Sequence, residues 1–209
     1  MGLHLGDIAP DFEIDTTKGK ISFHEWLGDS WGFFFSHPAD FTPVCTTEMG
    51  KTAKLAGEFA ARNTKPLGLS TDTVDEHNKW ITDINDTQGC SLEFPIVADP
   101  DHKVAQLYDM IHPGESDTAA VRTVFIIDPA KKIRLTLTYP MQVGRNFDEI
   151  LRVIDALQLG DKHKIATPAD WQKGQKVIIP PSISNEEAEK IFPQGWDEQR
   201  SYLRLTEIK

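Results

Sequence analysis

The stretch that most constrains the fold is Trp31-Gly32-Phe33-Phe34-Phe35-Ser36, together with the segment after it, His37-Pro38-Ala39-Asp40-Phe41-Thr42-Pro43-Val44-Cys45-Thr46-Thr47-Glu48. Gly32 to Phe35 shows no polar alternation, so a strand built from it is buried on both faces and belongs in the centre of a sheet covered by helices on either side. The next element starts as a helix. Thr42 suits the N-cap and Pro43 the first helical position, which puts Cys45 at the third residue, inside the first turn. Backbone N–H groups there lack partners, and with the helix dipole they favour an anion. A thiol so placed ionises below the free-cysteine value of about 8.5. The thiolate is the nucleophilic form.

The rest of the chain falls into order around this pair of elements. Asp11 to Ile14 and Lys20 to Phe23 flank Thr17-Lys18-Gly19 and read as a hairpin at a sheet edge. Gly28-Asp29-Ser30-Trp31-Gly32 turns the chain into the central strand. After Cys45, Leu55, Phe59 and Arg62 carry the helix to about Asn63, and Pro66 to Ser70 forms the next buried strand. Thr73 and Glu76 make a capping box, and Val74, His77, Trp80, Ile81 and Ile84 recur at helical spacing until Gly89 stops them. Phe94 to Ala98 reads as a strand, Asp101 to Tyr108 as a short helix, and Ile111 to Thr118 as a turn-rich loop. Val121 to Ile127 and Lys132 to Thr138 form an antiparallel hairpin across Asp128-Pro129-Ala130-Lys131. Asn146 caps a last helix with the buried stripe Phe147, Ile150, Leu151, Ile154 and Leu157, ended by Gly160.

These elements predict an α/β fold, a central mixed β-sheet flanked by helices, over residues 1–160, with a small C-terminal extension over 161–209. In the extension, groups such as Val177-Ile178-Ile179 and Phe192 are interrupted by Pro180, Pro181 and Pro193. That is too little core to stand alone.

Composition narrows the partners. A chain of 209 residues with a 39% hydrophobic share can bury a sizeable core. The formal net charge of -10, with no Lys/Arg stripe, excludes a nucleic-acid binder and disfavours an anionic membrane surface. Met1 to Pro10 lacks the basic and apolar regions of a signal peptide, and no run is long enough to span a bilayer. Gly2 does not open a myristoylation signal, because position 6 is Gly6. A cytoplasmic protein without a membrane anchor is expected. Two cysteines without a Cys-x-x-Cys motif fit a reducing compartment, and seven scattered histidines show no metal-ligand spacing. Neither a metal nor a cofactor is expected.

Pro38-x-x-x-Thr42-x-x-Cys45 resembles the active-site motif of the peroxiredoxins, thiol peroxidases built on an elaborated thioredoxin-like fold. Ser36-His37-Pro38, Arg122 at the start of a late strand, Tyr139-Pro140, Gly144-Arg145-Asn146 through Leu159, and Ala166-Thr167-Pro168-Ala169-Asp170-Trp171 extend the resemblance. Together they point to the one-cysteine, peroxiredoxin-6 type over almost the whole length. Strand, helix, strand followed by strand, strand, helix fits that fold, with insertions between the halves.

The resemblance implies that Cys45 is the nucleophile, that Thr42 and Arg122 are its catalytic partners, and that Pro38, His37 and Arg145 bind substrate or support the site. It implies hydrogen peroxide and organic hydroperoxides, phospholipid ones included, as substrates, with an external thiol such as glutathione as reductant. The Thr42 hydroxyl can accept an N–H from the helix and still donate its own proton toward a thiolate or a peroxide oxygen. It also implies a homodimer in which the C-terminal arm reaches toward the partner's active site. Cys90, in a loop after Gly89, is then either a resolving thiol or a bystander, and the bystander reading is preferred because the tail carries no second cysteine.

Some members of this type are credited with a phospholipase activity that uses a serine, a histidine and an aspartate. His24 and Ser30 match, but the aspartate position is Ala130, with Asp128 two residues earlier. Gly28-x-Ser30-x-Gly32 also leads into a strand, where a nucleophile elbow needs strand, turn and helix. A redox-sensing binding or chaperone module on the same fold is the alternative of a different class.

Overall fold

A computed structural model describes residues 2–208; Met1 and Lys209, the outer ends of the two terminal segments, lie outside them. The chain forms two compact units, Met1–Phe147 and Asp148–Lys209. In chain order the first contains strands β1 (Glu13–Thr16) and β2 (Gly19–Ser22), helix α1 (Phe23–Leu27), β3 (Trp31–Ser36), α2 (Pro43–Lys54), α3 (Ala56–Ala61) and β4 (Thr64–Ser70). It continues with α4 (Val74–Gln88), β5 (Ile96–Ala98), α5 (Lys103–Leu107), β6 (Arg122–Ile127) and β7 (Ile133–Tyr139).

Its seven strands form one mixed sheet in the order β2-β1-β5-β4-β3-β6-β7. The apolar run is β3, parallel to β4 and antiparallel to β6, with every residue buried. Strand alternation sends Phe34 to one face and Phe33 and Phe35 to the other. Phe34 joins Phe23, Leu27, Tyr108 and Phe125 in one core cluster. Phe33 stacks on Phe35 at 4.5 Å and on Phe59 at 5.0 Å. Both faces are therefore filled by aromatic rings.

Local signals placed several elements well. The β1–β2 hairpin lies at the sheet edge, and Thr73 and Glu76 exchange both capping-box hydrogen bonds ahead of α4, whose C-cap is Gly89 in the left-handed region. Pro66 lies in β4 where only β3 pairs with it, because β5 pairs from Gly68 onward; a missing N–H is tolerated there.

Other expectations are corrected. Phe23–Leu27 is a helix, with Phe23 and Leu27 buried one turn apart, too short to show a periodic signal. The helix expected from Pro43 to Asn63 breaks at Leu55, where ψ is 8°, and α3 then carries Phe59 to its stack on Phe33.

The second unit comprises α6 (Phe147–His163), whose first residue closes the first unit, then β8 (Val177–Ile179), α7 (Asn185–Ile191), β9 (Asp197–Arg200) and β10 (Leu203–Thr206). Gly160 does not end α6. It lies inside the helix, where a Cβ would sit 3.2 Å from the Ile165 carbonyl, so the glycine serves a close backbone approach.

The apolar groups of the extension form a core together with α6. Ile165, Trp171, Val177, Ile179, Ile183, Ala188 and Phe192 cluster with Ala156 and Leu159 of α6, beside an antiparallel sheet ordered β8-β10-β9. The prolines sit in turns rather than breaking that core, and the buried Arg204 guanidinium ties one turn together through the carbonyls of Pro180 and Ile183 and the Asn185 side chain. No helix of the described residues is long and apolar enough to cross a membrane.

Trp171 is 1% exposed and donates its indole N–H to the Gln175 carbonyl at 3.1 Å, whereas Tyr202 is 66% exposed. Trp171→Ala should cost about 3–5 kcal/mol of unfolding free energy. Tyr202→Ala should change it by less than about 0.5 kcal/mol. Denaturant titration of both variants checks this, and equal small losses would show that the second unit's core is not cooperative.

Candidate active site

β3 ends at Ser36, and residues 37–42 turn the chain into α2. Phe41 has a φ of 55°, a left-handed value that costs a residue with a side chain about 1–2 kcal/mol. Thr46 N–H makes the first helical bond, to the Thr42 carbonyl at 3.0 Å, so the N–H groups of Val44 and Cys45 have no acceptor within the helix. Cys45 is wholly buried at this helix start.

Thr42 is the N-cap residue by position, but its hydroxyl makes no cap bond. It donates instead to the Ala39 carbonyl at 2.8 Å, inside the turn. The expectation that it both caps the helix and donates toward the sulfur is therefore corrected. With its proton committed, its lone pairs remain as acceptors.

Arg122 reaches the sulfur, which periodicity alone could not show. Because β6 runs antiparallel to β3, the start of β6 lies beside the end of β3, at the edge of the sheet where the Cys45 turn begins. Arg122 Nη1 lies 3.4 Å from Cys45 Sγ and also donates to Glu48 Oε2 at 2.7 Å, while Nε donates to the Met141 carbonyl at 2.8 Å.

Glu48 is the group that fixes this arginine. It follows Cys45 by three residues on the same buried helix face. It accepts from Arg145 through the backbone N–H (2.8 Å), Nε (2.9 Å) and Nη2 (2.6 Å). Burial opposes its ionisation. The charge and hydrogen bonds of Arg145, with the charge of Arg122, outweigh burial and hold the carboxyl below its ordinary range. Arg145 also donates to the Ser36 and Thr123 carbonyls and lies 4.9 Å over the Phe35 ring. It anchors the site, and its hydrogen bonds do not reach the sulfur.

His37 and Pro38 are buried at the start of the turn. His37 Nε2 meets Asp40 Oδ1 at 2.9 Å, and the ring packs 5.2 Å from Trp80, so it supports the turn.

Cys90 follows Gly89, the C-cap of α4. Its Sγ faces Ile84 and Asn85 at the close of α4; burial pushes its thiol up, opposed by the charge of Lys54. Cys45 and Cys90 are both free.

The hydrolase residues do not assemble. Ser30 donates to Asn63 Oδ1 at 3.0 Å and precedes a strand. His24 Nε2 faces the Ala9 carbonyl at 2.7 Å, and Asp128 pairs with Arg134 at 3.2 Å.

Among the described residues, His37, Asp40 and Asp72 bring potential ligand atoms within 4.8 Å of one another. Those groups already bond each other, His77 and Ser70, and form a hydrogen-bond cluster rather than an open cation cage.

Three residues here were not assigned from sequence: Glu48, Asp40 and His77. Glu48 had a usable signal, an acid three residues from Cys45 on a face otherwise closed by Met49 and Thr52, which requires cationic partners. Nothing local announced the other two. Because Glu48 is depressed, the stability it confers is present above the ordinary carboxyl value near 4.3 and is lost as pH falls through its lower folded value. Glu48→Gln should remove that acid-side component and cost about 3–5 kcal/mol at neutral pH by leaving buried guanidinium charge unpaired. Unfolding free energies measured between pH 3 and 7 check this; an unchanged acid limb would contradict it.

Comparison with known proteins gives a consistent picture. The AhpC/TSA family model matches residues 5–136, and the model of the C-terminal domain of 1-Cys peroxiredoxin matches residues 156–195. The 1-Cys peroxiredoxin of Dictyostelium discoideum is 52% identical over 204 residues, spanning 98% of this chain and 85% of that protein. Peroxiredoxin-6 of Rattus norvegicus is 50% identical over 218 residues, spanning 98% and 97%. Yeast mitochondrial 1-Cys peroxiredoxin, solved to study thiol resolution through the glutathione and thioredoxin systems, superposes with a TM-score of 0.92 at 51% identity, covering 99% of this chain and 100% of that one. A cysteine-to-serine variant of peroxiredoxin 6 from Arenicola marina gives 0.93 at 45%, covering 99% and 98%. With its elaborated thioredoxin-like sheet and its cysteine under an arginine, the chain belongs to the AhpC/TSA family, on its 1-Cys peroxiredoxin side, and is a thiol-dependent peroxidase.

Proposed function

We propose that the chain reduces hydrogen peroxide and organic hydroperoxides at Cys45 through a sulfenic acid that an external thiol then reduces. The observation that carries this reading is Arg122 Nη1 at 3.4 Å from a sulfur buried at the start of a helix. The sulfur anion attacks one peroxide oxygen in line with the O–O bond. An S–O bond forms, the O–O bond breaks, and the departing oxygen takes a proton and leaves as water or an alcohol. The sulfur is oxidised by two electrons.

Charge spreads over both oxygens during attack. Arg122 Nε and Nη1 are committed to Met141, Glu48 and the sulfur, which leaves the two Nη2 hydrogens without a partner among the described residues and free for the peroxide. The lone pairs of Thr42 can accept the peroxide hydrogen, and the free N–H groups of α2 add further donors. A thiol next attacks the oxidised sulfur, forming a mixed disulfide and releasing water, and a second thiol frees Cys45.

Cys90 Sγ faces the close of α4 and both cysteines are free, which supports an external reductant, and the yeast relative's glutathione and thioredoxin systems point to the same class. The proposal includes a cytoplasmic homodimer. Two free thiols suit a reducing compartment, and exposed Ile191 and Tyr202 offer apolar surface to a partner.

Cys45→Ser should abolish peroxide consumption, while Cys90→Ser should retain most of it with dithiothreitol. Arg122→Gln should slow single-turnover oxidation on the order of a hundredfold. Arg122→Lys keeps the charge but not the planar fork, so its rate should fall between. Stopped-flow peroxide kinetics read these rates; equal losses from both cysteine variants, or a wild-type rate in Arg122→Gln, would contradict the assignment.

A further inference from the structure

We propose that Asp40 is a positioning residue for the peroxide step: its buried carboxylate, held between His37 and His77, clamps the turn that leads into the Cys45 helix. The inference rests on the peroxidase reading and adds a residue to it.

Asp40 ties its turn to three elements at once. Oδ1 meets His37 Nε2 at 2.9 Å, just beyond β3, and Oδ2 meets His77 Nδ1 on α4 at 2.6 Å. Its backbone N–H donates to Asp72 Oδ2 at 2.9 Å, in the turn after β4, and that oxygen also accepts from Ser70.

His77 Nε2 faces the Val97 carbonyl at 3.1 Å, an acceptor only, so Nε2 carries hydrogen. Its Nδ1 faces Asp40. Burial opposes ionisation of that carboxyl, but hydrogen bonds from His37 and His77 outweigh burial and keep it ionised. His77 thus bridges Asp40 on the turn to the Val97 carbonyl on β5 through its two ring nitrogens. His37 donates from Nε2, and its Nδ1 is buried without a partner, a bare lone pair on a neutral ring. Burial, which pushes the His37 pKa down against the pull of Asp40, agrees with that state. The cluster is a buried carboxylate bridged between two histidines, one on each oxygen.

The cluster controls the residues next to it in the chain. Phe41 holds its left-handed φ of 55° while 54% exposed, with its ring only tilted beside Trp80 at 6.4 Å, so the strain is held mainly by its neighbours in the turn. The neighbour that is fixed on every side is Asp40. Thr42 and Pro43 come next, so the clamp sets where α2 begins and hence where Cys45 stands under Arg122. The same clamp closes the sulfur in. Cys45 is wholly buried, and a reducing thiol such as glutathione is bulkier than hydrogen peroxide, so the thiol gains most when residues 37–42 loosen. Release of Asp40 should therefore move the two half-reactions in opposite directions, which loss of global stability would not do.

The test uses Asp40→Asn, with His77→Gln as a second variant that removes one ring partner and leaves the carboxylate in place. Single-turnover oxidation by hydrogen peroxide should slow at least tenfold, and reduction of the preformed sulfenic acid by glutathione should speed up severalfold. Hydrogen exchange over residues 37–46 of the reduced protein should quicken while α6 is unchanged. Unchanged exchange in both variants, or both rates falling together with the unfolding midpoint, would overturn the clamp. The exchange arm needs no peroxide, so a wild-type chain that forms no sulfenic acid would refute the peroxidase reading while this arm still decides the role of Asp40.

Discussion

The Glu48 carboxylate, shared between Arg145 and Arg122, is the interaction on which the site depends. A buried carboxylate is costly unless its lone pairs are filled, and here two guanidinium groups and a backbone N–H fill them. The arrangement joins α2, the start of β6 and the segment before α6, elements that meet only in the folded chain. It also sets the local charge: one carboxylate against two arginines leaves a single positive surplus. That surplus faces the Cys45 sulfur through Arg122 Nη1, where negative charge spreads over the sulfur and two oxygens during attack.

Sheet topology brings the partners to one place. The last residue of β3 and the first of β6 share an edge because the strands are antiparallel, so the turn bearing Cys45 and the arginine that serves it emerge together. A parallel neighbour would have put Arg122 at the opposite end. The aromatic filling on both faces of β3 holds that edge rigid, and Phe35 extends it directly under Arg145.

What could be read from the residues divides along physical lines. The apolar β3, the Thr42-Pro43 helix start, the Thr73/Glu76 capping box and the β6–β7 hairpin were legible because each is decided by neighbours in sequence. Arg122 was placed by resemblance, since no periodicity reports which strand end lies beside which. Glu48, Asp40 and His77 were not assigned because their roles exist only across long separations, Asp40 to His77 and Glu48 to Arg145. The second unit was underread for a related reason: its apolar groups are short, and their sum appears only when α6 supplies Ala156 and Leu159. Gly160 and the Thr42 hydroxyl misled because a residue type that usually ends or caps a helix was used for close approach in one case and for a turn in the other.

The central claim is that peroxide oxidises Cys45 alone, at a sulfur held by Arg122, with no disulfide to Cys90. Intact and peptide mass spectrometry after one equivalent of hydrogen peroxide, with no thiol present, tests it most directly. The account predicts a gain of about 16 mass units confined to the Cys45 peptide, the mark of a sulfenic acid. A loss of about 2 mass units with a peptide linking Cys45 to Cys90, or oxygen found on Cys90 instead, would contradict it.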